Sequence, residues 1–192
     1  MTPDDESDDV IDLYITSPMS TLRNLLLWGK LTRFPNWIPQ FQNVVQLDFI
    51  DSKLIDDPLE LLKDMPKLMS LYFGENSYEG ETLHFQCGGF QKLKTLHLIS
   101  SDKLKSILID RGALCSLEEI LFEDLSQLKT VTSGIQHLEK LKDLYINDMP
   151  TELEQLIANG GQDHWIIQHV RHVRIWSMHA KKPLDIFGIS HH

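Results

Sequence analysis

Nine histidines, with His164, His169, His172, His179, His191 and His192 gathered near the end, are the side chains best suited to metal ligation or proton transfer. Their spacing serves neither. In a strand His169 and His172 project to opposite faces, and no Cys or close carboxylate cluster completes four ligands. The acidic pairs Glu118-Glu119 and Glu123-Asp124 would need an enclosed pocket to raise one carboxyl selectively, so they read as a solvated face. Cys87 and Cys115 are the only cysteines, with no CxxC pair, and Cys115 precedes a core Leu without a neighbouring His. They are expected to be buried thiols in a reducing compartment, acting as small apolar residues. No GxxxxGK[ST] phosphate loop occurs, and Gly88-Gly89 and Gly160-Gly161 are isolated turn signals. The expectation is a chain with no catalytic residues, no metal and no cofactor.

What positions the remaining side chains is a repeat. Phe90 to Phe122 holds two copies of one phrase, L-x-x-L-x-L: Leu93, Leu96 and Leu98, then Leu117, Ile120 and Phe122. Five more copies flank them: Leu22-Leu25-Leu27, Val44-Leu47-Phe49, Leu68-Leu71-Phe73, Leu141-Leu144-Ile146 and Val170-Val173-Ile175. Steps between first positions are 22, 24, 25, 24, 24 and 29 residues, near the range of about 20 to 29 expected of leucine-rich repeats. Positions 1, 4 and 6 of the phrase straddle a short strand and turn into one narrow core, while the residues between them face outward. The fold class that follows is α/β: a leucine-rich-repeat solenoid, or horseshoe, with a seven-stranded parallel concave sheet and an irregular or short-helical convex side.

The returns differ. In the first repeat Leu31, Phe34, Trp37, Ile38 and Phe41 supply the packing, and Pro35 and Pro39 forbid a long helix. Asp57-Pro58-Leu59-Glu60 reads as an N-cap, a first-turn Pro and a carboxylate three residues after the cap, with Leu59, Leu62 and Met65 facing the core before Pro66. Tyr78, Gly80, Leu83 and Phe85 alternate as in extended chain. Leu104, Ile107 and Ile109, and then Leu125, Leu128 and Val131, predict strand-like or loose returns. Glu152 to Asn159 has helical spacing, stopped at Gly160-Gly161.

The 192 residues divide into an acidic disordered tail, 1–12, one repeat domain, 13–176, and a C-terminal cap and tail, 177–192. Val10 to Ile15 alternates weakly, as the outer half of a repeat whose strand is missing would, so the array is expected to start mid-repeat without a polar cap, as a piece of something longer. Of the net charge of −10, the first 12 residues carry −6, leaving a mildly acidic body of −4 with no basic stripe for nucleic acid. No apolar run approaches the roughly 18 to 20 residues of a membrane span, and the start MTPDDESDD has neither the basic residues nor the apolar segment of a secretory signal. Cytoplasmic residence is the expectation.

Several stretches, taken in order, go beyond a generic repeat: LRNLLLWGKLTRFPNWI, SKLIDDPLELLKDMPKLMSLYF, YEGETLHF, GGFQKLKTLHL and LKTVTSGIQHLEKLKDLYINDMP. From about Leu22 to Ile175 the chain resembles the C-terminal leucine-rich-repeat region of plant intracellular coiled-coil, nucleotide-binding disease-resistance receptors. The resemblance implies a role in plant defence: sensing a pathogen effector, directly or through a guarded host protein, and restraining a nucleotide-driven switch domain. The phosphate loop and coiled-coil region of such receptors are not in this sequence, so nucleotide binding is not carried over. The competing reading is a truncated receptor remnant that folds and has a structural role only, with no independent partner.

What binds is then decided by the outward positions. Position 5 reads Leu26, Asp48, Tyr72, His97, Leu121, Tyr145 and Arg174; position 7 reads Trp28, Ile50, Gly74, Ile99, Glu123, Asn147 and Trp176; position 3 reads Asn24, Gln46, Ser70, Thr95, Glu119, Asp143 and His172. Large side chains that the repeat does not need inside point either to a partner-binding surface or to passive cover of a curved sheet. The candidate partner-binding set on the concave face is Leu26, Trp28, Tyr72, His97, Leu121, Tyr145, Arg174 and Trp176. Within it Tyr72 and Tyr145 are the expected exposed anchors, with Leu121 between them and Glu119, Glu123 and Asp143 as an acidic surround that prefers a basic partner.

Overall fold

The computed structural model describes residues 20–177, apart from Thr32. The acidic tail, Val10 to Ile15 and the C-terminal cap and tail beyond Ser177 lie outside the described residues. In chain order the strands and helices are β1 (Asn24–Trp28), β2 (Gln46–Ile50), α1 (Leu59–Leu62), β3 (Ser70–Phe73), β4 (Thr82–Phe85), β5 (Thr95–Ile99), β6 (Ser106–Ile109), β7 (Glu119–Glu123), β8 (Asp143–Asn147), α2 (Thr151–Ile157) and β9 (His172–Trp176). Short 3-10 turns stand at Ile38–Gln40, Ile135–His137 and His164–Ile166.

Each of the seven phrases forms one strand of a single parallel sheet, ordered β1-β2-β3-β5-β7-β8-β9. The cause is the alternation: Leu47, Leu71, Leu96, Ile120 and Leu144 at position 4 are fully buried, and Phe49, Phe73, Leu98, Phe122 and Ile146 at position 6 are buried beside them. Pairing is in register by repeat, so Leu47 faces Leu71 and Leu71 faces Leu96. Just before the strands, one carbonyl per repeat accepts two N–H groups of the next: Arg23 from Val45 and Gln46, Val45 from Met69 and Ser70, Met69 from Lys94 and Thr95. This continuous ladder leaves few backbone groups on the sheet without a partner. In a leucine-rich-repeat solenoid such a sheet lines the inner, concave side.

Strands end in a repeated left-handed residue. Position 8 holds Gly29 (φ 111°), Asp51 (52°), Ser100 (48°), Asp124 (51°) and Asp148 (48°), and in the repeat one residue longer the role passes to Asn76 (50°). Gly needs no Cβ clearance there, and Asp and Asn tolerate the conformation best among the rest. The turn redirects the chain into the core, where Phe34, Phe49 and Phe73 pack in a row with centroids 6.0 and 5.2 Å apart.

The returns follow the sequence pattern. Asp57 accepts the Leu59 N–H (2.9 Å) with one carboxylate oxygen and the His84 N–H (2.9 Å) with the other, so it caps α1 and ties it to β4. Glu60 does not turn back to the cap; it pairs with Lys63 at 2.7 Å. The alternating Tyr78 to Phe85 run gives β4, which pairs with β6 as a second, two-stranded parallel sheet on the outer side. Gly80 is required by space: a Cβ would stand 2.2 Å from the Tyr78 hydroxyl oxygen and 2.7 Å from the Ile55 carbonyl oxygen. α2 ends at Ile157, three residues before the left-handed Gly160 (φ 85°). The expected burial of the thiols also fails. Cys87 and Cys115 are both exposed, because each falls in the loop just outside the apolar phrase, where the stack has no further layer to cover it. Among the described residues no helix is long and apolar enough to cross a membrane.

Candidate functional site

The register brings the predicted partner-binding residues into ranks across the concave sheet. Leu26, Asp48, Tyr72, His97, Leu121, Tyr145 and Arg174 form one row, each directly opposite the next. Trp28 and Trp176 stand at its two ends in the neighbouring row, 67% and 54% exposed, and Leu26 is 52% exposed. Among the described residues they are on the end strands of the sheet, each with one neighbouring strand.

In the middle, Tyr72, His97, Leu121 and Tyr145 are half-buried rather than fully exposed. Each ring leans on its neighbours. Tyr72 meets His97 edge-on with centroids 6.1 Å apart, and its ring lies over Gly74, where a Cβ would come 2.6 Å from Cε1. Gly74 therefore stands on the face as the bed of Tyr72, not as a turn residue. His97 Nε2 is 2.8 Å from Glu119 Oε1. Arg174 sits over the Tyr145 ring at 5.6 Å, a cation–π contact. Asn147 donates to Glu123 (2.9 Å), and His172 Nδ1 is 3.0 Å from Asp143 Oδ1. The acidic surround is thus present but partly engaged within the face.

Asp48 is the functional candidate that the residue types alone did not single out. Its Oδ2 accepts from Gln46 (2.7 Å), while its Oδ1 is buried without a partner. Burial pushes its carboxyl above the ordinary aspartate value, against the opposing hydrogen bond from Gln46 and the influence of His97. The Tyr72 hydroxyl is raised as well, first by burial and then by the carboxylates of Asp48, Glu75 and Glu123. An unsatisfied carboxylate oxygen beside a tyrosine is a ready acceptor for a donor supplied by a partner. The signal for it was available in principle: Asp48 is the only acid in a row of otherwise apolar, aromatic or cationic residues.

Among the described residues no group of three or more His, Cys, Asp or Glu is placed to hold a metal ion. His164 bonds the Ile157 carbonyl at 2.8 Å, a structural contact between α2 and the 3-10 turn after it. Two open depressions of about 330 and 340 Å³ lie along the strand starts, one lined by Arg23, Asn43 and Lys67, the other by Glu118, Lys140, Lys142 and Arg171. Neither encloses a reacting group.

A sequence profile described as a leucine-rich repeat region matches residues 2–158. The chain belongs to the leucine-rich-repeat family. Its relatives are disease resistance proteins of Arabidopsis thaliana, as the resemblance implied. Disease resistance protein RPM1 is 29% identical over 168 residues, 87% of this chain and 18% of the relative. RPP8 is 22% identical over 166 residues, 86% of this chain and 18% of the relative. RPH8A is 22% identical over 153 residues, 80% of this chain and 17% of the relative. The chain spans less than a fifth of the length of these relatives. The leucine-rich-repeat solenoid is an interaction scaffold, with its ordered outward rows carried on a rigid sheet.

Proposed function

We propose that this chain is a non-enzymatic protein-interaction module of plant immunity, acting inside the cell, and that it holds its partner on the concave face. The partner is a pathogen effector, a guarded host protein or the nucleotide-driven switch domain of a full receptor. The observation that carries the reading is the in-register row from Leu26 to Arg174, which presents Tyr72, Leu121 and Tyr145 as a band that the core does not need. Aromatic anchors ringed by polar groups concentrate interface energy. Here the ring is Asp48, Glu119, Glu123 and Asp143. The unpartnered Asp48 oxygen favours a partner that brings a donor or cation to that point.

The test begins with recovery of a partner from infected plant tissue on the immobilised chain, followed by titration of variants. Tyr72→Ala or Tyr145→Ala is expected to weaken binding by about 1 to 2 kcal/mol per residue with little change in stability. Leu96→Ala, at a fully buried position, instead costs roughly 2 to 5 kcal/mol of folding free energy. If both Tyr variants bind as the parent does while changes on the returns weaken binding, the contact lies on the outer side and the concave assignment fails.

A further inference from the structure

The two cysteines belong to different repeats, 28 residues apart in sequence, yet both sulfurs meet at one residue. Cys115 Sγ donates to the Gly112 carbonyl oxygen at 3.3 Å. Cys87 Sγ lies 3.4 Å from the place that a Cβ of Gly112 would occupy. The dimensions of a single residue then keep the two sulfurs no more than about 10 Å apart. Main-chain contacts tie their turns together: the Gly88 N–H donates to the Gly112 carbonyl (3.2 Å), the Leu114 N–H to the Gly89 carbonyl (3.1 Å) and the Cys87 N–H to Asp110 Oδ2 (3.0 Å). Both thiols are exposed, and both lie outside the strands of the concave sheet. Cysteine is among the most often buried residue types, and an exposed one is explained by its reactivity rather than by packing.

We infer that Cys87 and Cys115 form a redox-sensitive dithiol, which a peroxide oxidises to a disulfide that staples the third return to the fourth. The chemistry balances with that one oxidant. One sulfur, as its thiolate, attacks a peroxide oxygen; the O–O bond breaks, the sulfur becomes a sulfenic acid, and hydroxide leaves. The second sulfur, also as its thiolate, attacks the sulfenic sulfur and expels its hydroxyl. Each departing hydroxide takes up the proton that a thiol released, so two thiols and one hydrogen peroxide give one disulfide and two waters. Closure to an S–S bond of about 2.05 Å uses freedom that the site has. A change of χ1 rotamer moves each sulfur by about 3 Å, and Gly112, between them, has no Cβ to bar the way. Gly88 and Gly112 hold left-handed φ values of 78° and 89° in the two turns. Nothing stands within 4 Å of the Cβ position of Gly88, and only Cys87 Sγ does so at Gly112, so the turns have room to move together. A bridge made and broken at the surface belongs to the labile, regulatory class of disulfides rather than to permanent ones. The inference is independent of the concave-face reading, because the staple would join returns and leave the outward rows untouched.

The test uses the full chain, reduced, freed of reductant and treated at low protein concentration with an excess of hydrogen peroxide. Because Cys87 and Cys115 are the only cysteines, thiol titration and intact mass read the reaction directly. The expected result is loss of both thiols together and a mass lower by two hydrogens. Proteolysis without reductant is expected to give one linked pair of peptides carrying residues 87 and 115. The thermal midpoint is expected to rise by about 5 to 10 °C, since the link closes a loop in the unfolded chain, and to return when dithiothreitol is added. Cys87→Ser and Cys115→Ser each leave one thiol and are expected to show neither the mass loss nor the rise. Survival of both thiols, addition of oxygen to one sulfur without a link, or pairing between two chains overturns the inference. A link that forms only in urea, or that fails to raise the midpoint, overturns it as well, since the sulfurs then do not meet in the folded chain. Binding of a partner through Tyr72 and Tyr145 is expected to be the same in both serine variants whichever of these outcomes is found.

Discussion

Two carboxylates show how a residue's meaning changes with its surroundings. Glu154 lies on α2 with its side chain buried and its Oε1 without a hydrogen-bond partner. Burial, with Asp148 adding repulsion, raises its carboxyl above the ordinary value of 4.5. A carboxyl raised in the folded state binds its proton more tightly there than in the unfolded chain, so it favours folding when protonated. That advantage disappears as pH rises through the window between the unfolded and the folded value. Glu154→Gln is therefore expected to raise the thermal midpoint at pH 7 and to leave it nearly unchanged at about pH 4; thermal denaturation followed by circular dichroism at the two values decides it. A gain of equal size at both would show that packing, not ionisation, sets the effect. Glu118 is the opposite case: half-buried between Lys142 and Lys94, it is held below the usual glutamate value by those hydrogen bonds and charges.

At the scale of elements, the outer side is held by a few local devices rather than by length. α1 has a single turn, too short to be stable by itself. It persists because Leu59 and Leu62 are buried and because Asp57 satisfies one N–H of the helix and one of β4. The ring of that same β4 residue, His84, extends the link to Asp110 at 3.0 Å, and Asp110 in turn accepts the Cys87 N–H at 3.0 Å. Asp57→Ala leaves two backbone donors without their acceptor and is expected to cost about 1 to 2 kcal/mol in urea unfolding. Asp57→Asn, which keeps one oxygen acceptor, should cost less. An equal loss in both variants would place the contribution in charge rather than in capping.

The whole molecule is a stack in which each repeat is stabilised by its neighbours. β1 pairs with β2 on one side, and Leu22 and Leu25 beneath it are only partly buried. β5 and β7 pair on both sides over residues that are almost wholly inaccessible. Native-state hydrogen exchange is therefore expected to show least protection over residues 22–40 and most over 93–122. Uniform protection along the array would mean that the stack opens as one cooperative unit.

The period of the phrase determined the fold. Spacing of Leu, Ile, Val and Phe at positions 1, 4 and 6 leaves one arrangement in which all of them are buried, and the register then assigns the outward rows without coordinates. DPL at Asp57 to Leu59 announced α1, since a cap is set by local backbone chemistry. Tertiary structure alone decided the rest. The exposure of Cys87 and Cys115 depends on whether another layer covers their loops, which residue type cannot convey. The half-burial of Tyr72 depends on His97 from the next repeat and on the missing Cβ of Gly74. The orphaned oxygen of Asp48 depends on Gln46 occupying the other one. Each is a contact between side chains whose positions the repeat fixes but whose directions only packing selects.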